Sequence, residues 1–214
     1  MPSLAELHAR CYVPRRDVVA GRELRPFTLG HAIALEVLGL RTIAADDFAG
    51  LLMAVEVCRR PPGEFLRKIQ NPWFALRLMV RARWIAFRRS PGWLREQMAA
   101  FREYCDYYGQ LPLQRRSEAS ETEAEESGAP FLEHVLVTLL ARLHYAEPAA
   151  LALPLGTALL RYFIFWESEG RVQLIDAAEE ARIAELTRQA DERHAEILAK
   201  ANARLFGHAA PAQN

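Results

Sequence analysis

Residues 71–91 read NPWFALRLMVRARWIAFRRSP. Asn71-Pro72 is a helix start signal. The asparagine side chain caps free backbone N–H groups, and proline in the first turn leaves no donor unpaired and brings a φ already set for the helix. Ser90-Pro91 repeats the signal at the far end. The two signals predict one helix from about Trp73 to Arg89 and another from Pro91 to about Tyr108, ending at Gly109.

Working outward, the neighbouring segments also read as helices. Thr28 caps a helix through Gly30 to Leu38 that ends near Gly39. Asp46 or Asp47 caps a second one through Phe48, Leu51, Leu52, Val55 and Val57, whose apolar spacing follows the 3.6-residue period. Pro61-Pro62 stops it, because proline lacks the donor and restricts the residue before it. A short helix is expected over Pro62 to Ile69. The first two, joined by the Arg41-to-Ala45 link, form an antiparallel hairpin.

Downstream the composition changes. Residues 117–127 hold five glutamates and no aromatic or large aliphatic residue. Such a segment cannot bury enough surface to offset its ordering entropy, so a flexible acidic linker is expected. Phe131 to Tyr145 is a strongly apolar helix, Glu147 to Leu153 a link, and Pro154 to Glu169 a further helix stopped by Gly170. Val172 to Ile175 reads as an extended joint. Asp176 then caps a long final helix reaching about Leu205. Its apolar residues Ile183, Leu186, Ile197 and Leu198 are few, so it packs along a narrow seam or projects. From His208 the tail is expected to fray. The expectation is an all-α fold of about seven or eight helices in two lobes. Residues 1–110 form the N-terminal lobe, 111–130 the acidic linker, and 131–214 the C-terminal lobe with its long terminal helix.

The 214 residues are 51% hydrophobic and 25% charged, an ordinary globular composition. The net charge of +0 excludes a strongly basic nucleic-acid binder at whole-chain level, though not a local patch. Cys11, Cys58 and Cys105 form neither a C-x-x-C motif nor a disulfide framework. Their equal spacing is no repeat, because the flanking residues disagree. Met1 to Arg25 lacks the apolar centre of a signal peptide. The most apolar stretch, Pro148 to Trp166, is broken by Pro154 and carries Arg161, so no spanning helix is expected. These features read as cytoplasmic.

Catalytic signals are missing. No two of His8, His31, His134, His144, His194 and His208 stand three or four residues apart, and no H-E-x-x-H occurs. The nucleophile-elbow, P-loop and dinucleotide glycine motifs are absent as well. No metal, cofactor or small-molecule substrate is expected, and the chain reads as a non-enzyme. A hydrolase reading would have to rest on His31, Asp47 and Glu56, and Asp46-Asp47 is explained by helix capping.

What stands out is charge. From Arg59 to Arg95 there are ten basic residues against one acid, Glu64, with tryptophan and phenylalanine between them. At 100° per residue Arg77, Arg81 and Arg88 share one side of the helix beside Trp73 and Trp84. Trp73, Phe74, Arg77, Arg81, Trp84 and Arg88 are the candidate partner-binding residues. Leu76, Met79, Val80 and Phe87 lie on one side of this helix and Leu78 and Ile85 on another, so part of it needs a cover. Two readings stay open. The arginines lie along a half-buried helix and pair with the chain's own acidic run, or they receive an acidic peptide, a membrane surface or nucleic acid.

Two groups of short segments resemble a known family. Leu24-Arg25-Pro26-Phe27-Thr28-Leu29-Gly30-His31, then Leu38-Gly39-Leu40, Asp47-Phe48 and Val57-Cys58-Arg59-Arg60-Pro61, is similar to a PFTLGH…LG…D…VCSRP pattern. Ser127 to Phe131, Ala149 to Pro154 and Trp166 to Val172 are similar to a GAPW…DMPLG…EEEG region of the same proteins. Arg59-Arg60-Pro61 stands where the pattern has Ser-Arg-Pro, and Leu151 to Leu153 lacks the acidic residue that the pattern has before its proline. The pattern resembles that of tail assembly chaperones of tailed bacteriophages and prophages. This resemblance implies a non-enzymatic protein of the bacterial host cytoplasm. It would bind a tape-measure or tail-tube type protein and keep the long tape-measure chain soluble while tail-tube subunits polymerise. It implies no catalytic residue and leaves self-association open. The alternative from another class is a peripheral membrane or nucleic-acid-binding module using residues 59–95.

Overall fold

The computed structural model describes residues 6, 9, 13, 15–40, 43–44, 47–69, 71–111, 113–116, 130–175 and 177–206. A hairpin comes first, β1 (Val18–Val19) and β2 (Arg22–Glu23), turning at Ala20 and Gly21. Both turn residues have positive φ, 50° and 69°. That is the turn geometry which matches strand twist, and it favours glycine. The helices α1 (Leu29–Val37), α2 (Phe48–Cys58), α3 (Glu64–Ile69), α4 (Pro72–Arg88) and α5 (Pro91–Gly109) follow. After β3 (Leu113–Arg116) come α6 (Phe131–Ala141), α7 (Glu147–Ala152), α8 (Leu155–Ser168), β4 (Val172–Ile175) and α9 (Ala177–Phe206). The fold is all-α, and each of the eight helices read from the sequence is present.

The starts follow capping chemistry. Thr28 Oγ1 accepts the His31 N–H, and the His31 ring accepts the Thr28 N–H in return, a reciprocal capping box. Asp47, not Asp46, caps α2, its carboxylate accepting the Gly50 N–H at 2.7 Å. Asn71 and Ser90 accept the N–H groups of Trp73 and Trp93 to open α4 and α5. At the end of α1 the Leu40 N–H returns to the Leu35 carbonyl and Gly39 N–H to Glu36, with Gly39 at φ 67°. Only glycine takes that conformation without strain.

Three local expectations change. Residues 147–152 are helical rather than a link, because Pro148 sits in a first turn, where it is tolerated, ahead of alanine and leucine. The helix expected to reach Tyr145 ends at Ala141; His144 takes φ 55° and Tyr145 N–H bonds back to the Leu139 carbonyl. Residues 113–116, expected within the linker, pair antiparallel with β4 from Leu113↔Ile175 to Arg116↔Val172. The acidic run Glu118 to Glu126, the Asp176 cap and the tail from His208 lie outside the described residues.

One buried core runs through both sides of the 111–130 boundary. It joins Leu29 and Leu35 of α1, Val55 of α2, Tyr104 of α5, Val135 and Leu139 of α6 and Leu159 of α8. A bridge between Thr28 and Pro154 fastens the two sides: Leu29 N–H donates to Leu153 O at 2.9 Å and Leu155 N–H to Phe27 O at 2.8 Å. Helix α9 stands outside the core, and every side chain from Glu179 to Lys200 is exposed.

Candidate functional site

Helix α4 divides the charged segment into two faces. Leu78, Ala82 and Ile85 are buried at helical spacing and turn one face toward the body, where α4 packs on α2. The other face carries Trp73, Leu76, Val80, Trp84 and Phe87. Trp73 is 69% exposed and Phe87 90%, and the remaining three are more than half exposed. A shallow groove runs between Trp73, Leu76, Arg77, Val80, Arg81 and Trp84. Large apolar side chains left in water along a whole helix mark a binding surface more often than chance exposure.

The six candidate residues do not all share one face. Trp73, Arg77, Arg81 and Trp84 line the groove, and the Arg88 guanidinium lies over the Trp84 ring, 4.4 Å from its centroid. Phe74 faces inward instead, edge-on to Phe65 at 6.1 Å and beneath the Arg60 guanidinium. Adjacent residues on a helix point about 100° apart, which separates Phe74 from Trp73. Arg81 is half-buried and lies 3.7 Å from Glu56. Burial, with Arg22 and Arg59 close by, lowers its affinity for a proton. The candidate set left out Leu76, Val80 and Phe87. Their steps of three or four residues from the two tryptophans were the available signal.

Glu56 organises the positive charge on the inner side. It is buried on α2 and contacts Arg59 at 3.1 Å and Arg60 at 2.9 Å. Burial pushes its carboxyl pKa up, but the arginines outweigh that and hold it below the ordinary value. Arg60 and Lys68 also share Glu64. Part of the basic segment is thus paired within the chain, and by Glu56 and Glu64 among the described residues. Arg77 makes no ion pair among the described residues and borders the exposed groove.

Residues 24–31, 57–62 and 151–154, distant in sequence, meet in space. Phe27 stacks near His31 and meets Tyr104 edge-on, while Tyr104 donates its hydroxyl to the Arg25 carbonyl at 2.7 Å. His31 bonds the Arg60 carbonyl, just before Pro61. Gly30 lies so close to Pro62 that an added Cβ would stand 2.6 Å from the proline Cβ and 3.0 Å from the Leu151 carbonyl. Residues 24–31, 57–62 and 151–154 therefore form one structural knot. His31, Asp47 and Glu56 are each engaged in holding it or its helices.

A second concavity of about 340 Å³ lies between α1, α5, α6 and α8. Its lining is mostly apolar, Phe27, Leu35, Met98, Phe131 and Leu159 among it, with Arg102 and Asp106 as charged members. Among the described residues no group of three or more histidine, cysteine or carboxylate side chains could hold a metal ion. No helix among them is long and apolar enough to cross a membrane.

Fold and surface together define a class: an all-α protein presenting an exposed aromatic and cationic helix. No protein-family model, curated protein or solved structure matches the chain.

Proposed function

We propose that this protein is a non-enzymatic helix-binding protein of the tail assembly chaperone type, which receives amphipathic helices of a tape-measure-type protein on the outer face of α4. The observation that carries this reading is the apolar stripe Trp73, Leu76, Val80, Trp84 and Phe87, left in water on a helix whose other face is buried. A helix-in-groove contact needs anchors at three- and four-residue spacing, and this stripe supplies them. Arg77 and Arg88 at its edge would select helices flanked by acidic residues.

The test is a pull-down from cells expressing the protein with its neighbouring genes, repeated at low and high salt. A long helical protein retained at high salt is the expected result. Recovery of nucleic acid or lipid alone, lost steeply as salt rises, would overturn the reading and move the function to the phosphate-binding capacity of residues 59–95.

A further inference from the structure

The exposed stripes of α4 and α9 have the same spacing. On α4 the members are Trp73, Leu76, Val80, Trp84 and Phe87. On α9 they are Ile183, Leu186, Ala190, His194 and Ile197, all exposed. Both series advance by three, four, four and three residues. At 100° per residue each stays within a stripe about 80° wide.

The charges beside the stripes give an orientation. On α4 Arg77, Arg81 and Arg88 lie along one flank and Arg83 alone along the other, and the flank of α9 that matches the three arginines in rotation carries Glu180 and Asp191. The other flank of α9 carries Arg182 and Arg193. Two helices packed parallel bring unlike flanks together, which would set the α4 arginines against those of α9. Packed antiparallel, like flanks meet: Arg77, Arg81 and Arg88 face Glu180 and Asp191, and Arg83 alone lies on the side of Arg182 and Arg193, so the balance favours this orientation. With Val80 over Ala190, this arrangement places Trp84 beside Leu186 and Phe87 beside Ile183, and the small Ala190 leaves room for the tryptophan rings.

We infer that α9 of one copy of this chain docks antiparallel along the exposed face of α4 of a second copy. The chain's own α9 does not cover that face, since its side chains from Glu179 to Lys200 are all exposed and the stripe on α4 is exposed too. A helix whose side chains are exposed all the way from Glu179 to Lys200 has little to hold it folded, and docking supplies a buried face. The contact joins different surfaces on the two copies. An open assembly therefore keeps one α4 and one α9 free at its ends, and it grows by mass action until it closes, a reciprocal pair being the smallest closed form. A partner helix bound at α4 would compete with this contact, yet the inference does not rest on the proposed function, and either can fail alone.

The test is sedimentation equilibrium of the full chain with two variants, Trp84→Glu on α4 and Leu186→Glu on α9. Both side chains are more than half exposed, so the fold tolerates the change. The wild-type chain is expected to exceed the 24.3 kDa of one copy increasingly with concentration. Each variant alone is expected to lose the larger species. An equimolar mixture of the two is expected to form a dimer and stop there, because it contains one intact α4 face and one intact α9. A wild-type chain monomeric at every concentration overturns the inference, and so does a mixture that stays monomeric. Asp191→Arg, which sets like charges against Arg77 and Arg81, is expected to weaken assembly at least about tenfold. No change on that substitution overturns the antiparallel pairing.

Discussion

His31 holds the backbone of Arg60: its Nε2 lies 2.6 Å from the Arg60 carbonyl, while Nδ1 accepts the Thr28 N–H at 3.2 Å. The two partners fix the tautomer. Only a neutral ring with its proton on Nε2 can donate to the carbonyl and accept from the amide at once. One side chain thereby ties the start of α1 to the turn that ends α2.

That bond predicts an acid-sensitive fold. An ordinary histidine takes up its second proton near 6.5, and burial holds His31 below that, with the Arg60 bond opposing part of the effect. Between the two values the unfolded chain binds a proton that the folded chain refuses. Stability is therefore complete above about 6.5 and falls as pH drops through the window below it. His31→Gln keeps a capping-box partner but removes the titration and the Arg60 bond, costing about 1 kcal/mol at neutral pH. Thermal unfolding of both chains between pH 7.5 and 5 checks this. The wild-type midpoint should fall toward that of the variant, and two parallel curves would contradict it.

Glu56 gives a second, lower window. Its carboxyl is held below the ordinary 4.5, so its contribution is present above that value and disappears as pH falls through the folded value. Glu56→Gln should cost about 2 kcal/mol at neutral pH. Arg59 and Arg60 lose their anion, but both reach water and can be partly solvated. Denaturant unfolding at pH 7 measures the loss. A variant as stable as the wild type would mean that the arginines find equal partners elsewhere.

Gly30→Ala tests the knot where the resembling segments meet. Alanine favours a helix over glycine by about 1 kcal/mol. Here its methyl would be pressed against the Pro62 ring and the Leu151 carbonyl, neither of which is a flexible chain end. Overpacking of that kind costs about 1–3 kcal/mol. The net expectation is a lowered melting temperature despite better helix propensity, read by circular dichroism. A raised one would show that the two neighbours move aside.

The sequence made the helices legible wherever a capping residue met a proline or a glycine, as at Asn71-Pro72, Ser90-Pro91 and Gly39. It hid what depends on distant partners. Residues 113–116 are a strand because residues 172–175 lie alongside, and nothing local to either announces the pairing. His31 reads as one more histidine on an apolar helix until Arg60 arrives at its ring. The candidate site was half visible for a related reason. The count of arginines from 59 to 95 exposed the charge, but burial of Leu78, Ala82 and Ile85 decides which way α4 faces, and that rests on α2.

The orientation of α4 makes its first two aromatic residues opposites. Trp73 is largely in water, whereas Phe74 packs on Phe65 under Arg60. Trp73→Ala should change stability by no more than about 0.5 kcal/mol, the usual range for a surface position. Phe74→Ala removes a partly buried ring and its contact with a cation, and should cost about 2 kcal/mol or more. Their effects on a bound amphipathic helix should run the other way. Trp73→Ala should lose retention of the partner in the high-salt pull-down while melting like the wild type, and Phe74→Ala should retain it at temperatures where the chain stays folded. If Trp73→Ala retains the partner fully, the helix docks elsewhere, and the 340 Å³ concavity between α1, α5, α6 and α8 becomes the place to look.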